Sequence, residues 1–135
     1  MERIYDFLKQ NKDLAFATVG SDGKPKIRVF QMMKIDEQTN TLYFATSPQK
    51  EVYVQLRSKS AVELLAMAGN ISVRISGGAM FNVSDEICRE IYNTNPVLSR
   101  LYKGYQDLAY FSLPIVALDY FDLSTTPPTL TNHKF

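Results

Sequence analysis

The apolar residues of this chain change period several times, and each change marks an element. In residues 3 to 11, Ile4, Phe7 and Leu8 recur at helical spacing, which predicts a short opening helix with one apolar face. "DLAFATVGSDGKPKIRVFQMMKID" then reads as two strands around "SDGKP", where Asp22, Gly23 and Pro25 carry turn chemistry. "NTLYFATS" is a third strand after the "DEQTN" turn. "AVELLAMA" and "NISVRISGGAMFNV" are two more, joined near Gly69 and Asn70, the second long and bent at Gly77 and Gly78. In "SDEICREIYNTNPVLSRLYKGY" the period becomes helical: Ile87 and Ile91 share a face, Asn95 is placed to cap, Pro96 to start and Gly104 to stop, giving two short helices. "LAYFSLPIVALDYFDLS" closes as a last long strand, with Pro114 implying an edge, a bulge or a break, and "TTPPTLTNHKF" is an extended tail. This order predicts a mainly β protein, a six-stranded antiparallel barrel with peripheral helices.

The chain of 135 residues has no internal repeat and no linker, which predicts one domain over residues 1 to 135. A net charge of +1 gives no general attraction to nucleic acid or to an anionic membrane, so a charged ligand must be held locally. No apolar run reaches the roughly 18 residues that span a bilayer. "MERIYDFLKQNK" is charged and amphipathic rather than a signal peptide, and the expected compartment is the cytoplasm. The lone Cys88 and lone His133 exclude a disulfide framework, most metal sites and the usual Ser-His or Cys-His nucleophiles. His133 is read as part of a solvated tail. Chemistry in this chain then needs a cofactor.

One stretch carries the candidate chemistry. In "YFATSPQKE" Ser47 is placed as an N-cap and Pro48 as the first helical residue, so the free amides of a first turn point at one spot. Lys50 falls in that turn, where a cation is unfavourable unless an anion is near. Two readings stand: an anion site, or a capped helix with a solvated lysine. In "KIRVFQMMK" the period of two puts Arg28, Phe30 and Met32 on one face and Val29, Gln31 and Met33 on the other. Arg28 among apolar residues either reaches water at the barrel edge or grips an anion with its fork of donors. The Met and Phe stripe is either core or a surface for a flat ring.

Taken together, "RVFQMMK", "YFATSPQKEVYVQL", "VELLAM" and "ISVRISGGAMF" resemble the pyridoxamine 5′-phosphate oxidase-like family of FMN-binding split barrels, over roughly residues 5 to 122. The resemblance is to the short members grouped with nitroimidazole-resistance and general-stress flavoproteins. It implies a homodimer with FMN at the interface. It also implies that Arg28, Thr46, Ser47 and Lys50 hold the phosphate, that Val29, Phe30, Gln31, Met32 and Met33 line the ring, and that Ser72 reaches the cofactor from the other protomer.

The family's oxidases of pyridoxamine phosphate carry a Lys at the end of the flavin strand and a C-terminal Arg-x-His element. This chain has Met33 at the first position and "TPPTLTNHKF" at the second, so that oxidation is not expected. The expected function is instead electron transfer from a reduced nicotinamide to a small-molecule acceptor, with Arg74 and Lys34 read either as solvated surface charges or as tuners of the ring, and Tyr102 and Tyr105 either as core packing or as gates. The alternatives are a binder of flavin or another cofactor without turnover, and a cofactor-free interaction module.

Overall fold

The structure is a computed structural model that describes residues 1–135. Its elements run in the order α1 (Glu2–Gln10), β1 (Asp13–Val19), β2 (Pro25–Gln31), β3 (Lys34–Asp36), β4 (Thr41–Thr46), α2 (Glu51–Ser58), β5 (Ala61–Ala68), β6 (Ile71–Gly78), α3 (Asp85–Thr94), α4 (Pro96–Leu101), a single 3-10 turn at Tyr105–Asp107, β7 (Ala109–Asp122) and β8 (Thr129–Lys134). Every pairing between strands is antiparallel, in the order β2-β1-β5-β6-β7-β4-β3, with β8 added beside β7. The sheet curls into a half-barrel because the end of β2 bridges its two edges. Met32 N donates to Lys12 O on the β1 side at 2.8 Å, and Met33 N donates to Tyr43 O of β4 at 2.9 Å.

Alternation decides what lies inside. In β1 the residues Leu14, Phe16 and Thr18 are buried, and in β5 Val62, Leu64 and Ala66 are buried, each separated by a more exposed neighbour. The centre is aromatic. Phe30 of β2 lies 4.6 Å from Phe16, 5.9 Å from Phe44 and 5.8 Å from Phe111, centroid to centroid, mostly edge to face. The β1–β2 hairpin is thereby joined to β4 and β7 through one cluster. The apolar face of α1, with Ile4, Tyr5 and Leu8 buried, closes part of this core. A second, smaller cluster of Ile91, Leu98, Leu108 and Tyr110 seats α3 and α4 outside the half-barrel.

The strand count differs from the six expected: there are eight. The run read as one strand from residue 25 to 36 breaks at Met32 and Met33, where the backbone transfers its hydrogen bonds from β1 to β4, and it resumes at Lys34 as β3. The eighth strand is the tail. The fourteen residues of β7 outrun β4, leaving the edge from Ala117 to Asp122 for β8 to cover, and His133 is placed there opposite Leu118 rather than in a loose end. Pro114 does not break β7. It stands where pairing with β4 ends and pairing with β6 begins, so the N–H it lacks falls at the change of partner. Gly104 does not stop α4, which ends at Leu101, where Tyr102 N donates to Leu98 O at 2.8 Å. No helix is long and apolar enough to cross a membrane.

The bend expected at Gly77 and Gly78 is a register shift between Ser76 and Gly77. A Cβ on Gly77 would lie 2.6 Å from the backbone oxygen of Pro114, whereas one on Gly78 would meet nothing nearer than Ser60 Oγ at 3.5 Å. Gly77→Ala is therefore expected to destabilise the protein by about 1–3 kcal/mol, as overpacking does. Gly78→Ala should cost less than about 0.5 kcal/mol, as at an open surface site. Urea unfolding of both variants checks the contrast, and equal effects would contradict it.

Candidate functional site

The seating of Phe30 in the aromatic core sets the orientation of all of β2. Arg28, two residues earlier, must face the same way, and it enters the half-barrel between Thr18 of β1 and Gln55 of α2. Its Nη1 donates to Thr18 Oγ1 at 2.7 Å and to Phe16 O at 3.2 Å, and its Nη2 donates to Gln55 Oε1 at 3.0 Å. All three acceptors are neutral. Of the five N–H donors on a guanidinium, two remain for another partner. Arg28 takes part in none of the five ion pairs of the molecule, and burial pushes its pKa down, while the negative charge of Glu51 acts the other way. Even so depressed, a guanidinium stays protonated in a protein.

Beside Arg28 lies a cavity of about 230 Å³. It gathers Arg28, Val29, Phe30, Gln31 and Met33 from the β2 end, Thr46 from the end of β4, and Lys50. Thr46 is 3% exposed, and its Oγ1 is buried with no hydrogen-bond partner. An orphaned buried hydroxyl costs on the order of 1–3 kcal/mol. Lys50 is exposed and also enters no ion pair. The far wall is apolar, built from Val97, Leu98 and Leu101 of α4 with Tyr102 and Leu108. This wall is positioned by Asn95. The Asn95 side chain does not cap α4; its Nδ2 donates to Ile91 O at 2.8 Å and to Met33 O at 3.2 Å, tying the junction of α3 and α4 to the end of β2.

Several expected residues stand elsewhere. Met32 is 2% exposed and belongs to the core, because it shares the inward face with Phe30. Ser47 is not the helix N-cap. Its Oγ accepts from Gln49 N at 3.2 Å and its carbonyl from Lys50 N at 3.0 Å, closing a turn, so that α2 starts only at Glu51 with Lys50 as N-cap. Ser72 of β6 lies in a separate hollow with Leu65, Arg74, Asp119, Phe121 and Leu130. Lys34 pairs with Glu90 at 2.8 Å, which raises its pKa, and Arg74 pairs with Asp119 at 2.5 Å; neither lines the cavity. Tyr102 lines it but Tyr105 does not, since its hydroxyl donates to Asp85 at 2.9 Å. Thr18 and Gln55 were not among the expected site residues. The signal for both was present: Thr18 continues the inward face of Leu14 and Phe16, and Gln55 shares the buried helical face of Val52 and Leu56.

The cavity is lined by two cationic residues, Arg28 and Lys50, by Thr46 and by apolar side chains. It contains no nucleophile paired with a base. It suits a ligand with an anionic head and a flat, largely apolar body.

The pyridoxamine 5′-phosphate oxidase family model matches residues 1–120. No curated protein matches the chain. Among solved structures, a protein from Clostridium acetobutylicum related to general stress protein 26 aligns with TM-score 0.81 at 13% identity, over 99% of this chain and 93% of that one. A NimC/NimA family protein from the same organism aligns with TM-score 0.75 at 20% identity, over 98% and 92%. A pyridoxamine 5′-phosphate oxidase-related, FMN binding protein from Nostoc punctiforme PCC 73102 aligns with TM-score 0.71 at 15% identity, over 99% and 95%. At these identities the likeness is one of fold.

The Thr46 hydroxyl offers a direct check of the site. Thr46→Val keeps the shape and removes a buried polar atom that has no partner. The free protein should be as stable as before or more stable by about 1 kcal/mol. Thermal unfolding of the ligand-free variant measures this, and a loss of more than about 1 kcal/mol would mean that the hydroxyl is satisfied within the protein.

Proposed function

The chain belongs to the pyridoxamine 5′-phosphate oxidase family, and from that premise we propose that it is an FMN-binding flavoprotein whose phosphate subsite is the end of the cavity formed by Arg28, Thr46 and Lys50. The observation that carries this reading is that one cavity is lined both by an unneutralised Arg28, with two donors to spare, and by Thr46, whose buried hydroxyl has no partner. A phosphate supplies both with what they lack. Its oxygens accept charge-assisted bonds from the guanidinium, a bond from Thr46, and a further one from the exposed Lys50 ammonium. Ser47, one residue on, contributes backbone to the same turn. Val29, Gln31 and Met33, which line the same cavity, would lie against the flavin ring.

Bound FMN would supply hydride and electron chemistry, taking a hydride from a reduced nicotinamide and passing electrons to a small-molecule acceptor. The chain's own residues orient and shield. Arg28 and Lys50 fix the anionic end, while Val97, Leu101 and Tyr102 keep water from one side of the ring. Pyridoxamine phosphate is not the proposed substrate. Met33 stands at the strand end where the family's oxidases of pyridoxamine phosphate carry a Lys.

We further propose that FMN is held between two copies of the chain. The cavity, at about 230 Å³, falls below the roughly 300 Å³ at which cofactor-sized sites begin, so one chain offers only part of an enclosure. Next to it the outer face of β2, β1 and β5 exposes several apolar side chains, with Glu63 the charged residue among them. Ile27, Val29 and Met67 are 72%, 70% and 71% exposed, and Ala15 and Ala17 lie between β2 and β5 in register. An isologous dimer through this face would cover the ring and bring in Ser72 from the partner. Sedimentation of the FMN-bound protein at micromolar concentration should give a dimer; a monomer would contradict the shared site.

The purified protein should take up FMN with a flavin absorption spectrum that reduced nicotinamide bleaches. FMN should bind at least about tenfold more tightly than riboflavin, because charged hydrogen bonds are worth roughly 1.5–3 kcal/mol each before discounting. Arg28→Ala and Lys50→Ala should shrink that preference while leaving riboflavin nearly unchanged. Fluorescence-quenching titrations decide it, and equal affinities of the wild type for the two ligands would remove the phosphate subsite.

A further inference from the structure

We propose that Gln55, held in place by Glu51, is a positioning residue that aims the Arg28 guanidinium at the phosphate while leaving its positive charge unneutralised. The inference rests on the flavin reading and assigns a role to residues that do not line the cavity.

Gln55 is 6% exposed and Thr18 is 3% exposed, so both are polar groups enclosed by the fold. Gln55 Oε1 accepts from Arg28 Nη2 at 3.0 Å and from Thr18 Oγ1 at 2.7 Å, while the Thr18 oxygen itself accepts from Arg28 Nη1 at 2.7 Å. The other end of the amide is also engaged: Gln55 Nε2 donates to Glu51 Oε1 at 3.1 Å. This fixes the orientation of the amide. Turned over, it would set N–H groups against the guanidinium and an oxygen against the Glu51 carboxylate. Glu51 thus reaches Arg28 through a neutral group and not as a salt-bridge partner.

That neutrality is the functional point. A carboxylate at position 55 would add the attraction of an opposite charge to the hydrogen bond that Arg28 already makes there, and an arginine neutralised in this way has less left for a phosphate. The amide holds the guanidinium rigid, which spares ordering cost when the ligand arrives, and keeps its field available.

Two isosteric exchanges with opposite expected signs test this in the full chain. Gln55→Glu should lower the preference for FMN over riboflavin by at least about fivefold with riboflavin affinity maintained, and because the new carboxylate faces that of Glu51 the free protein should melt at a lower temperature. Glu51→Gln keeps an acceptor for Gln55 Nε2 and removes the nearest negative charge. It should raise the preference, by about twofold or more at low salt, and because residue 51 is exposed it carries the test if Gln55→Glu disturbs folding. A wild-type preference retained in Gln55→Glu overturns the proposal while the phosphate subsite stands, and so does a preference unchanged or lowered in Glu51→Gln. A wild type without any preference overturns the phosphate subsite and this proposal with it.

Discussion

The packing of Phe30 against Phe16, Phe44 and Phe111 is the constraint on which the site depends. These rings come from β1, β2, β4 and β7, so the cluster closes the half-barrel and fixes which face of β2 is inside. A slip of one residue would expose Phe30 and is excluded by the cost of removing a large aromatic from the core, on the order of 3–5 kcal/mol. With Phe30 inward, Arg28 is inward by the period of the strand. The aromatic core thus supplies the energy that places a cation where hydrophobicity alone would never put one.

Once Arg28 is inside, its surroundings must answer for it. The fold does so with neutral acceptors: a backbone carbonyl, a threonine hydroxyl and a glutamine amide. Hydrogen bonding is thereby mostly satisfied and charge is not. The orphaned Thr46 hydroxyl is a second unmet demand in the same cavity. An arginine without a counter-charge and a hydroxyl without a partner, on two residues that line one cavity, are more economically explained by a ligand than by independent defects. Glu51 works against the positive field, but through the Gln55 amide rather than in direct contact.

The core and most strands were legible because they obey simple periods. The inward face of β1, the hairpin at Asp22 and Gly23, the two short helices and the family resemblance all stem from residues close together in sequence. What escaped depends on contacts between distant segments. Nothing local to "FQMMKID" says that Met32 donates to Lys12 and Met33 to Tyr43, so the split into β2 and β3 was invisible, as was the free edge of β7 that recruits the tail as β8. Ser47 has the chemistry of an N-cap, but its side chain is committed to a turn one step earlier. Cation and hydroxyl were readable as candidates at Arg28 and Thr46; that Thr18 and Gln55 hold the first and nothing holds the second required three dimensions.

The position of a bound phosphate is the most direct test. In a crystal structure of the FMN complex, the phosphorus should sit at the Arg28 and Thr46 end of the cavity. Phosphate oxygens should lie within about 3.2 Å of Thr46 Oγ1 and of a guanidinium nitrogen of Arg28, with the bonds from Arg28 to Thr18 and Gln55 intact. A phosphate directed to solvent, or one that Arg28 reaches only after abandoning Gln55, would contradict the proposed site.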